Sequence, residues 1–236
     1  MARIEPGTPV VEVGPGFGSL TVALARAGAD VLAVEVDPAL AATLEEVARD
    51  MSVRVVVADA LRLDWDSALG DREHWLMVSN LPYNVATPLV LGMLERGLPI
   101  ERYLVMVQRE VGERLAAGPG DEGYGGSSVR AAYHASARLL RRVPPSVFWP
   151  QPAVESVLVE LVPRATPPVD VDRDRLFRVV EEAFAQRRKT MRNALVRLGL
   201  DPGAAVALLA GCGIAPVARA EELSIQEFAC IAGAIP

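Results

Sequence analysis

Apolar residues in the first two-thirds of the chain form short continuous runs, separated by segments in which they recur every three or four positions. The runs predict strands buried on both faces, and the segments between them predict helices. The predicted strands are Pro9–Val13, Val31–Glu35, Val53–Val57, His74–Ser79 and Arg102–Val107, and the predicted helices are Gly18–Ala27, Pro38–Arg49, Val85–Arg96 and Gln108–Ala117. This alternation predicts an α/β fold with a mostly parallel sheet covered by helices on both faces.

The pattern changes in the last third of the chain. Tyr124–Ser136 has a mixed character, and two further strands are predicted at Arg138–Val143 and Val154–Val162, on either side of a proline-rich segment. Beyond a linker at Pro163–Pro168 the pattern is helical. The predicted helices there are Asp174–Gln186, Lys189–Leu198, Pro202–Leu209 and Ser224–Ala232, the last with Ser224 and Glu227 in capping-box positions. We therefore predict an N-terminal domain over residues 1–165 and a small helical domain over 166–236.

Composition narrows the class of protein. No apolar run reaches the ~18 residues that would span a bilayer, and no secretion signal precedes the first strand. We expect a cytoplasmic, monomeric protein without a membrane partner, in which Cys212 and Cys230 are reduced buried thiols. The cysteines lack metal-ligand spacing, so no metal is expected. The net charge of −6 argues against a surface coated in basic patches, but nucleic-acid binding depends on local charge, and the single lysine, Lys189, lies in the densest basic run.

A glycine-rich turn follows the first predicted strand. Glycines at 14, 16 and 18 let a ligand approach the backbone at the carboxyl end of a parallel strand. The spacing differs from the dinucleotide fingerprint, which would need glycine where Ser19 stands. Glu35 ends the second strand, where an acid can accept hydrogen bonds from two ribose hydroxyls, and Asp59 follows the third, where it can accept from an adenine amine.

Together these strand-end groups describe a nucleoside site without a phosphate cradle. S-adenosylmethionine fits such a site, because its adenosine carries a sulfonium group instead of phosphates. The sequence therefore predicts this cofactor rather than a dinucleotide.

The tetrapeptide Asn80-Leu81-Pro82-Tyr83 ends the fourth predicted strand and suits a flat base with an exocyclic amine. The lone pair of adenine N6 is delocalised into the ring. Two acceptors placed around that nitrogen, the Asn80 side-chain oxygen and the Leu81 carbonyl, would localise the pair, with Pro82 fixing the backbone. Tyr83 would stack on the ring. Without the cofactor residues, a simple strand-ending turn would explain these four residues equally well.

A base must leave its stack to enter such a pocket. Phe148 lies on the stiff proline-rich loop between the two late strands and could close the other face of the base. His74 and His134 are interpreted as structural residues.

Six motifs in this order resemble the bacterial small-subunit rRNA adenine dimethyltransferases, the KsgA group. They are Val11–Thr21, Glu35–Asp37, Asp59–Leu61, Asn80–Tyr83, Val143–Ser156 and Phe184–Leu195. The last two are the specific ones, since the glycine turn is shared by methyltransferases at large.

The resemblance implies a class I, Rossmann-like methyltransferase sheet with a small all-helical C-terminal domain. It implies transfer of two methyl groups to N6 of each of two adjacent adenines near the 3′ end of small-subunit rRNA. The cofactor residues would be Gly14, Gly16, Glu35, Asp59, Ala60 and Asn80, and the base would be held by Asn80, Leu81, Pro82, Tyr83 and Phe148. Arg187, Arg188, Lys189 and Arg192 would contact RNA phosphates, with 188 and 192 on one helix face.

Two departures from the family pattern change what we expect. Members carry an N-terminal arm with a Gln-Asn-Phe-Leu stretch that closes over the cofactor, whereas eight residues precede the first predicted strand here. We expect either a shortened chain or weakened cofactor binding. The loop around Tyr124 carries Asp121 and Glu122 where the family is usually more basic, which argues against RNA contacts there.

Three alternatives remain at this point. The macrolide-resistance methyltransferases modify large-subunit rRNA with the same core, although Leu81 and the Phe184–Leu195 motif favour the small-subunit type. A DNA adenine methyltransferase is disfavoured because no separate DNA-reading domain is visible. A catalytically weakened assembly factor would bind ribosomal RNA without methylating it.

Overall fold

The computed structural model describes residues 2–235 and divides into two compact units. The first contains the chain up to Gly112 together with Ala135–Pro163, and the second contains Glu113–His134 together with the chain from Arg164 onward. The sequence-based division at residue 165 did not anticipate that Glu113–His134 belongs with the helical part.

The first unit is built on one seven-stranded sheet in the order β3-β2-β1-β4-β5-β7-β6. The first five strands are parallel, and β7 and β6 are antiparallel to their neighbours. The strands are β1 (Pro9–Val13), β2 (Asp30–Glu35), β3 (Val53–Val57), β4 (Trp75–Asn80), β5 (Ile100–Gln108), β6 (Ala135–Val143) and β7 (Ser156–Pro163). The predicted α/β class with a mostly parallel sheet is confirmed.

Helices connect the parallel strands of this sheet. They are α1 (Ser19–Arg26), α2 (Pro38–Val47), α3 (Trp65–Leu69) and α4 (Ala86–Glu95), and α5 (Arg109–Ala116) leads into the second unit. The five-residue α3 was not predicted, because it is too short to show a helical period. It begins at the cap Asp64 and buries Trp65, whose indole nitrogen donates to the Ala60 carbonyl over 3.0 Å.

The strand order places a crevice between β1 and β4. The chain runs from β1 outward through β2 and β3, then returns to the other side of β1 for β4 and β5. Ligands of open α/β sheets bind at such a switch point, outside the carboxyl ends of the strands. The β1–β4 pairing covers only Val10 and Val11, and beyond it the Ser79 hydroxyl accepts a hydrogen bond from the Val13 N–H over 2.9 Å. The two strands therefore diverge where the glycine turn begins.

The second unit is helical. Its helices are α6 (Gly126–His134), α7 (Arg173–Phe184), α8 (Met191–Arg197), α9 (Pro202–Gly211) and α10 (Ile225–Ala234). Their apolar faces meet in one core whose fully buried members include Val129, Leu176 and Phe228. The predicted capping box of α10 is confirmed, since Ser224 accepts from the Glu227 N–H and Glu227 accepts from the Ser224 N–H.

The segment from Tyr124 to His134 belongs to this unit because of its side chains. Tyr124 is buried and its hydroxyl donates to the Leu223 carbonyl over 2.8 Å. Val129 and Tyr133 enter the helical core, and the Tyr133 ring packs edge-on against Phe177. The helix α6 was missed because its run of glycines and serines, Gly123–Ser128, hides the start of the apolar repeat.

The prediction of two buried free thiols is wrong. Cys212 follows α9, Cys230 lies in α10, and the two form a disulfide with their Cα atoms 5.8 Å apart. Cys230 is exposed and Cys212 is half-buried. Sequence spacing could not show this pairing, because it depends on how α9 and α10 pack against each other.

The disulfide should stabilise the helical unit. Replacing both residues, Cys212→Ser with Cys230→Ser, should lower the free energy of unfolding by about 3 kcal/mol, the scale expected for opening a loop of this sequence separation. Urea unfolding followed by circular dichroism checks this. In dithiothreitol the wild type should match the double variant. Equal urea midpoints for the two proteins without reductant would contradict the prediction.

Candidate active site at the switch point

The glycine turn after β1 has a backbone that side chains would not allow. Gly14, Gly16 and Gly18 have φ values of +68°, +55° and +81°. The Gly14 N–H donates to the Val34 carbonyl over 2.9 Å, which pins the turn against β2. A Cβ on Gly14 would lie 2.9 Å from Cγ of Pro82, so glycine is required for the turn and the Asn-Leu-Pro-Tyr segment to approach this closely.

Glu35 ends β2 and is almost completely buried. Its Oε1 accepts from the N–H groups of Val36 and Asp37 over 2.8 and 3.0 Å, and its Oε2 accepts from the Gly16 N–H over 3.2 Å. A carboxylate can accept about four hydrogen bonds. One position on Oε2 is therefore left for a ligand hydroxyl, which agrees with the predicted ribose contact.

A cavity of about 290 Å³ opens beside Glu35. Its walls come from the glycine turn, the ends of β2 and β3 and the segment after β4, with Gly14, Glu35, Asp59, Ala60 and Pro82 among the lining residues. Asp59 is exposed at its rim, where Oδ1 accepts from the Leu61 N–H over 2.9 Å. Four of the six predicted cofactor residues line this cavity. Gly16 is joined to it through Glu35, and Asn80 does not line it.

The Asn-Leu-Pro-Tyr segment leaves β4 with two acceptors available. Asn80 is exposed, and the Leu81 N–H donates to the Met106 carbonyl over 3.0 Å while the Leu81 side chain is buried in the core. Among residues 2–235, no group donates to the Asn80 amide oxygen or the Leu81 carbonyl. The two groups that the sequence assigned to an adenine amine are thus unoccupied by the protein's own donors.

Two aromatic rings belong to the same region. Tyr83 is half-buried, and its hydroxyl lies 3.2 Å from the Ser156 hydroxyl at the start of β7. Phe148 is half-buried on the loop that precedes β7. Within the described chain neither ring stacks on another aromatic ring.

The basic residues of the helical unit are arranged differently from the prediction. Arg187, Arg188 and Lys189 lie in the turn between α7 and α8, so Arg188 does not share a helix face with Arg192. Helix α7 ends at Phe184, and α8 begins after Thr190, whose side chain makes no capping hydrogen bond. Arg187 donates to the Tyr124 carbonyl over 3.2 Å, whereas Arg188, Lys189 and Arg192 are exposed and have no partner among residues 2–235.

Glu12 was missed by the sequence analysis. It precedes the cavity-lining Val13 and is only 2% exposed, and its Oε2 has no hydrogen-bond partner among the described residues. Burial raises the pKa of the Glu12 carboxyl to about 7, and the nearby Thr21 hydroxyl, which favours the ionised form, offsets only part of this increase. An acid between two valines gave the signal in the sequence, because a strand buried on both faces should have no charge there.

A buried carboxylate without a donor suits a positively charged ligand nearby. S-adenosylmethionine has a sulfonium and an ammonium group, either of which would favour the ionised form of Glu12. The residues around the cavity therefore fit the predicted cofactor. Within residues 2–235, no cluster of His, Cys, Asp or Glu could hold a metal ion, and no helix is long and apolar enough to cross a membrane.

Glu12 should make the stability of the cofactor-free protein depend on pH. Because its pKa is raised on folding from 4.5 to about 7, the folded state binds the proton more tightly, so stability falls as pH rises through this window. Glu12→Gln should raise the free energy of unfolding by about 3 kcal/mol at pH 8 and change it little at pH 4. Urea midpoints at the two pH values check this. The same pH dependence in both proteins would contradict it.

Comparisons with known proteins agree with this geometry. Residues 1–235 match the family model described as ribosomal RNA adenine dimethylase. A protein named ribosomal RNA small subunit methyltransferase A from Thermobifida fusca is 47% identical over 98% of this chain and 82% of its own length. A second of that name, from Kineococcus radiotolerans, is 45% identical over 100% of this chain and 79% of its own length.

Solved structures show the same fold. The 23S rRNA methyltransferase ErmE superposes with a TM-score of 0.74 at 26% identity, over 98% of this chain and 92% of ErmE. A dimethyladenosine transferase from Plasmodium falciparum superposes with a TM-score of 0.78 at 20% identity, over 98% and 90% of the two chains. The sheet, the cavity at its switch point and the full-length family match lead to one conclusion: this chain belongs to the ribosomal RNA adenine dimethylase family and is an S-adenosylmethionine-dependent methyltransferase.

Proposed function

We propose that this protein transfers two methyl groups from S-adenosylmethionine to N6 of each of two adjacent adenines near the 3′ end of small-subunit rRNA. The observation that carries the proposal is the pair of acceptors at the end of β4, the Asn80 amide oxygen and the Leu81 carbonyl, beside a cavity suited to the cofactor. The relatives with 45–47% identity are named for the small subunit, which supports this choice of RNA.

The chain's contribution to the chemistry is to position and polarise the amine. Two acceptors on the N6 hydrogens hold the nitrogen closer to a tetrahedral shape and localise its lone pair. When bound, the cofactor would supply a methyl group on a sulfonium, and the electron pair of its sulfur–carbon bond would stay on sulfur. The amine held by Asn80 and Leu81 would take the methyl group and lose a proton to water. Orienting the two reactants contributes up to ~7–11 kcal/mol in favourable cases.

The aromatic rings hold the base. An adenine in a stack is out of reach of this site, so it must be turned out of the RNA. Tyr83 and Phe148 would provide two ring faces for it, and the hydrogen bond between the Tyr83 and Ser156 hydroxyls restrains the tyrosine. An N6 amine that carries one methyl group still has one hydrogen for an acceptor of the pocket. A dimethylated amine has none, so transfer stops after two methyl groups.

The exposed cations of the helical unit supply contacts to RNA. Arg188, Lys189 and Arg192 are available for phosphates, while Arg187 is partly occupied by the Tyr124 carbonyl. We place the enzyme in the cytoplasm as a monomer, where it would act on small-subunit rRNA. The large-subunit alternative has weaker support, because ErmE is only 26% identical.

Asn80→Ala should abolish most methyl transfer without affecting the fold. Removing one oriented donor from an oxyanion hole costs about 100- to 1,000-fold in kcat, and we expect a loss of the same order for this oriented acceptor. Transfer of labelled methyl groups to unmethylated small subunits checks this. The melting temperature should be unchanged, because the exposed Asn80 side chain has no partner to lose.

The matched control for Asn80 is Asn193→Ala, an exposed asparagine in α8, which should methylate at the wild-type rate. Wild-type activity in Asn80→Ala would show that this side chain is not part of the site. An absence of transfer by the wild-type protein to small subunits would refute the proposed function itself.

Charge reversal in the turn before α8 should weaken RNA binding. Arg188→Glu with Lys189→Glu should raise the Kd for small subunits and reduce the slope of log K against log salt by about one per lost phosphate contact. Cofactor affinity should stay the same. The control is Arg26→Glu with Arg49→Glu, which takes the net charge from −6 to −10 in the same way at exposed arginines of the first unit. Equal subunit binding by the two double variants would contradict a specific role for the turn.

A further inference from the structure

The loop between β6 and β7 displays a large apolar side chain to solvent. Trp149 is 98% exposed, whereas Trp65 and Trp75 are 2% and 4% exposed. Val147 on the same loop is 63% exposed. An indole carries one of the largest apolar surfaces of any side chain, and at Trp149 folding buries almost none of it. A partner outside the chain would recover that burial.

The base of the loop lies next to the Asn-Leu-Pro-Tyr segment. Val143 at the end of β6 pairs with Ser156 at the start of β7, so the two ends of the loop meet at Ser156. The Ser156 hydroxyl lies 3.2 Å from the Tyr83 hydroxyl. A second attachment is made by the Arg109 N–H, which donates to the Glu155 carbonyl over 2.9 Å. The base of the loop is therefore fixed next to the ring that is proposed to hold the target base.

Phe148 and Trp149 are neighbours on this loop but differ in exposure. Phe148 is half-buried, and Trp149 is almost completely exposed. If Phe148 closes over the target adenine, Trp149 lies one residue away, within reach of the next nucleotide.

The loop is stiff and carries no charge. Prolines at positions 144, 145, 150 and 152 restrict its backbone, so little conformational entropy is lost when a ligand binds. Residues 144–152 contain no acidic side chain that would repel a phosphate backbone, and Arg141 and Arg142 are exposed on β6 directly before the loop. The lack of acidic side chains and the two nearby arginines favour a nucleic-acid base over an apolar protein surface as the partner of the indole.

Resting on the proposed function, we infer that Trp149 stacks on the base next to the target adenine. When one adenine leaves its stack, its neighbour loses a stacking partner. The indole replaces that partner and holds the RNA open while Phe148 and Tyr83 hold the target. Stacking of this kind accepts any base, because every base has a flat aromatic face. Trp149 is then a substrate-binding residue outside the methyl-transfer chemistry.

Steady-state methylation of unmethylated small subunits tests the inference. Trp149→Ala should raise the KM for subunits about 5- to 150-fold, the range for the loss of one base–aromatic stack, and change kcat less than about threefold. Trp149→Phe should recover most of the loss, and Gln151→Ala, an exposed change on the same loop, should behave as wild type. An unchanged KM in Trp149→Ala, or a phenylalanine variant as impaired as alanine, would overturn the inference.

Tryptophan fluorescence provides a readout that does not depend on methylation. The signal of Trp149 is the difference between wild type and Trp149→Phe, and stacking should quench it when an RNA hairpin with two adjacent loop adenines binds. Replacing the adenine beside the target with an abasic site should remove the quenching. Equal quenching by the intact and abasic hairpins would overturn the inference.

The methylation and fluorescence experiments distinguish failure of the inference from failure of the proposed function. If the wild type transfers no methyl group, the proposed function fails, and the fluorescence arm alone decides whether Trp149 binds a base. In the absence of RNA, acrylamide should quench Trp149 fluorescence equally at all protein concentrations. Weaker quenching at higher protein concentration would assign the loop to a contact between copies of the chain and overturn the inference.

Discussion

The carboxylate of Glu35 holds the site together. It accepts three backbone N–H groups, two from the residues that follow β2 and one from the glycine turn, and so fixes the edge of the β1–β4 crevice on one side. On the other side, the close approach of Pro82 to Gly14 sets the distance between the turn and the Asn-Leu-Pro-Tyr segment. These two contacts fix the spacing between the three chain segments that line the cavity. Under the proposed function, that spacing would set the distance between the methyl donor and the amine acceptors.

The strands and the residue types at their ends could be predicted from the sequence, because both follow local rules. Apolar runs mark buried strands, and polar residues directly after them must lie at one edge of a parallel sheet. This logic selected Glu35, Asp59 and Asn80 as candidates, and Glu35 and Asp59 line the cavity. The features that were missed depend on packing between distant segments. Helix α6 acquires its place through Tyr124 and Leu223, which are far apart in sequence, and the disulfide forms because α9 and α10 meet.

Glu12 and Trp149 depart from the usual distribution of charged residues on the surface and large apolar residues in the core. Glu12 lies next to the cavity-lining Val13, and Trp149 lies on the loop whose base contacts Tyr83 through Ser156. Glu12 is a carboxyl in an apolar strand, and its raised pKa records the cost of burying a charge there without a partner. Trp149 is an indole in water. Under the proposals above, a positively charged group of the cofactor would offset the cost of burying the Glu12 charge, and RNA binding would bury the Trp149 indole. Departures of this kind are expected at functional positions rather than in the scaffold.

The most direct measurement is a crystal structure of the protein with S-adenosylhomocysteine. The account predicts the ribose hydroxyls within hydrogen-bond distance of Glu35 Oε2, the adenine in the cavity lined by Asp59 and Ala60, and the sulfur directed toward the Asn80 amide oxygen. Density for the ligand at another place, or a ribose that does not contact Glu35, would contradict the claim that the β1–β4 crevice is the site of methyl transfer.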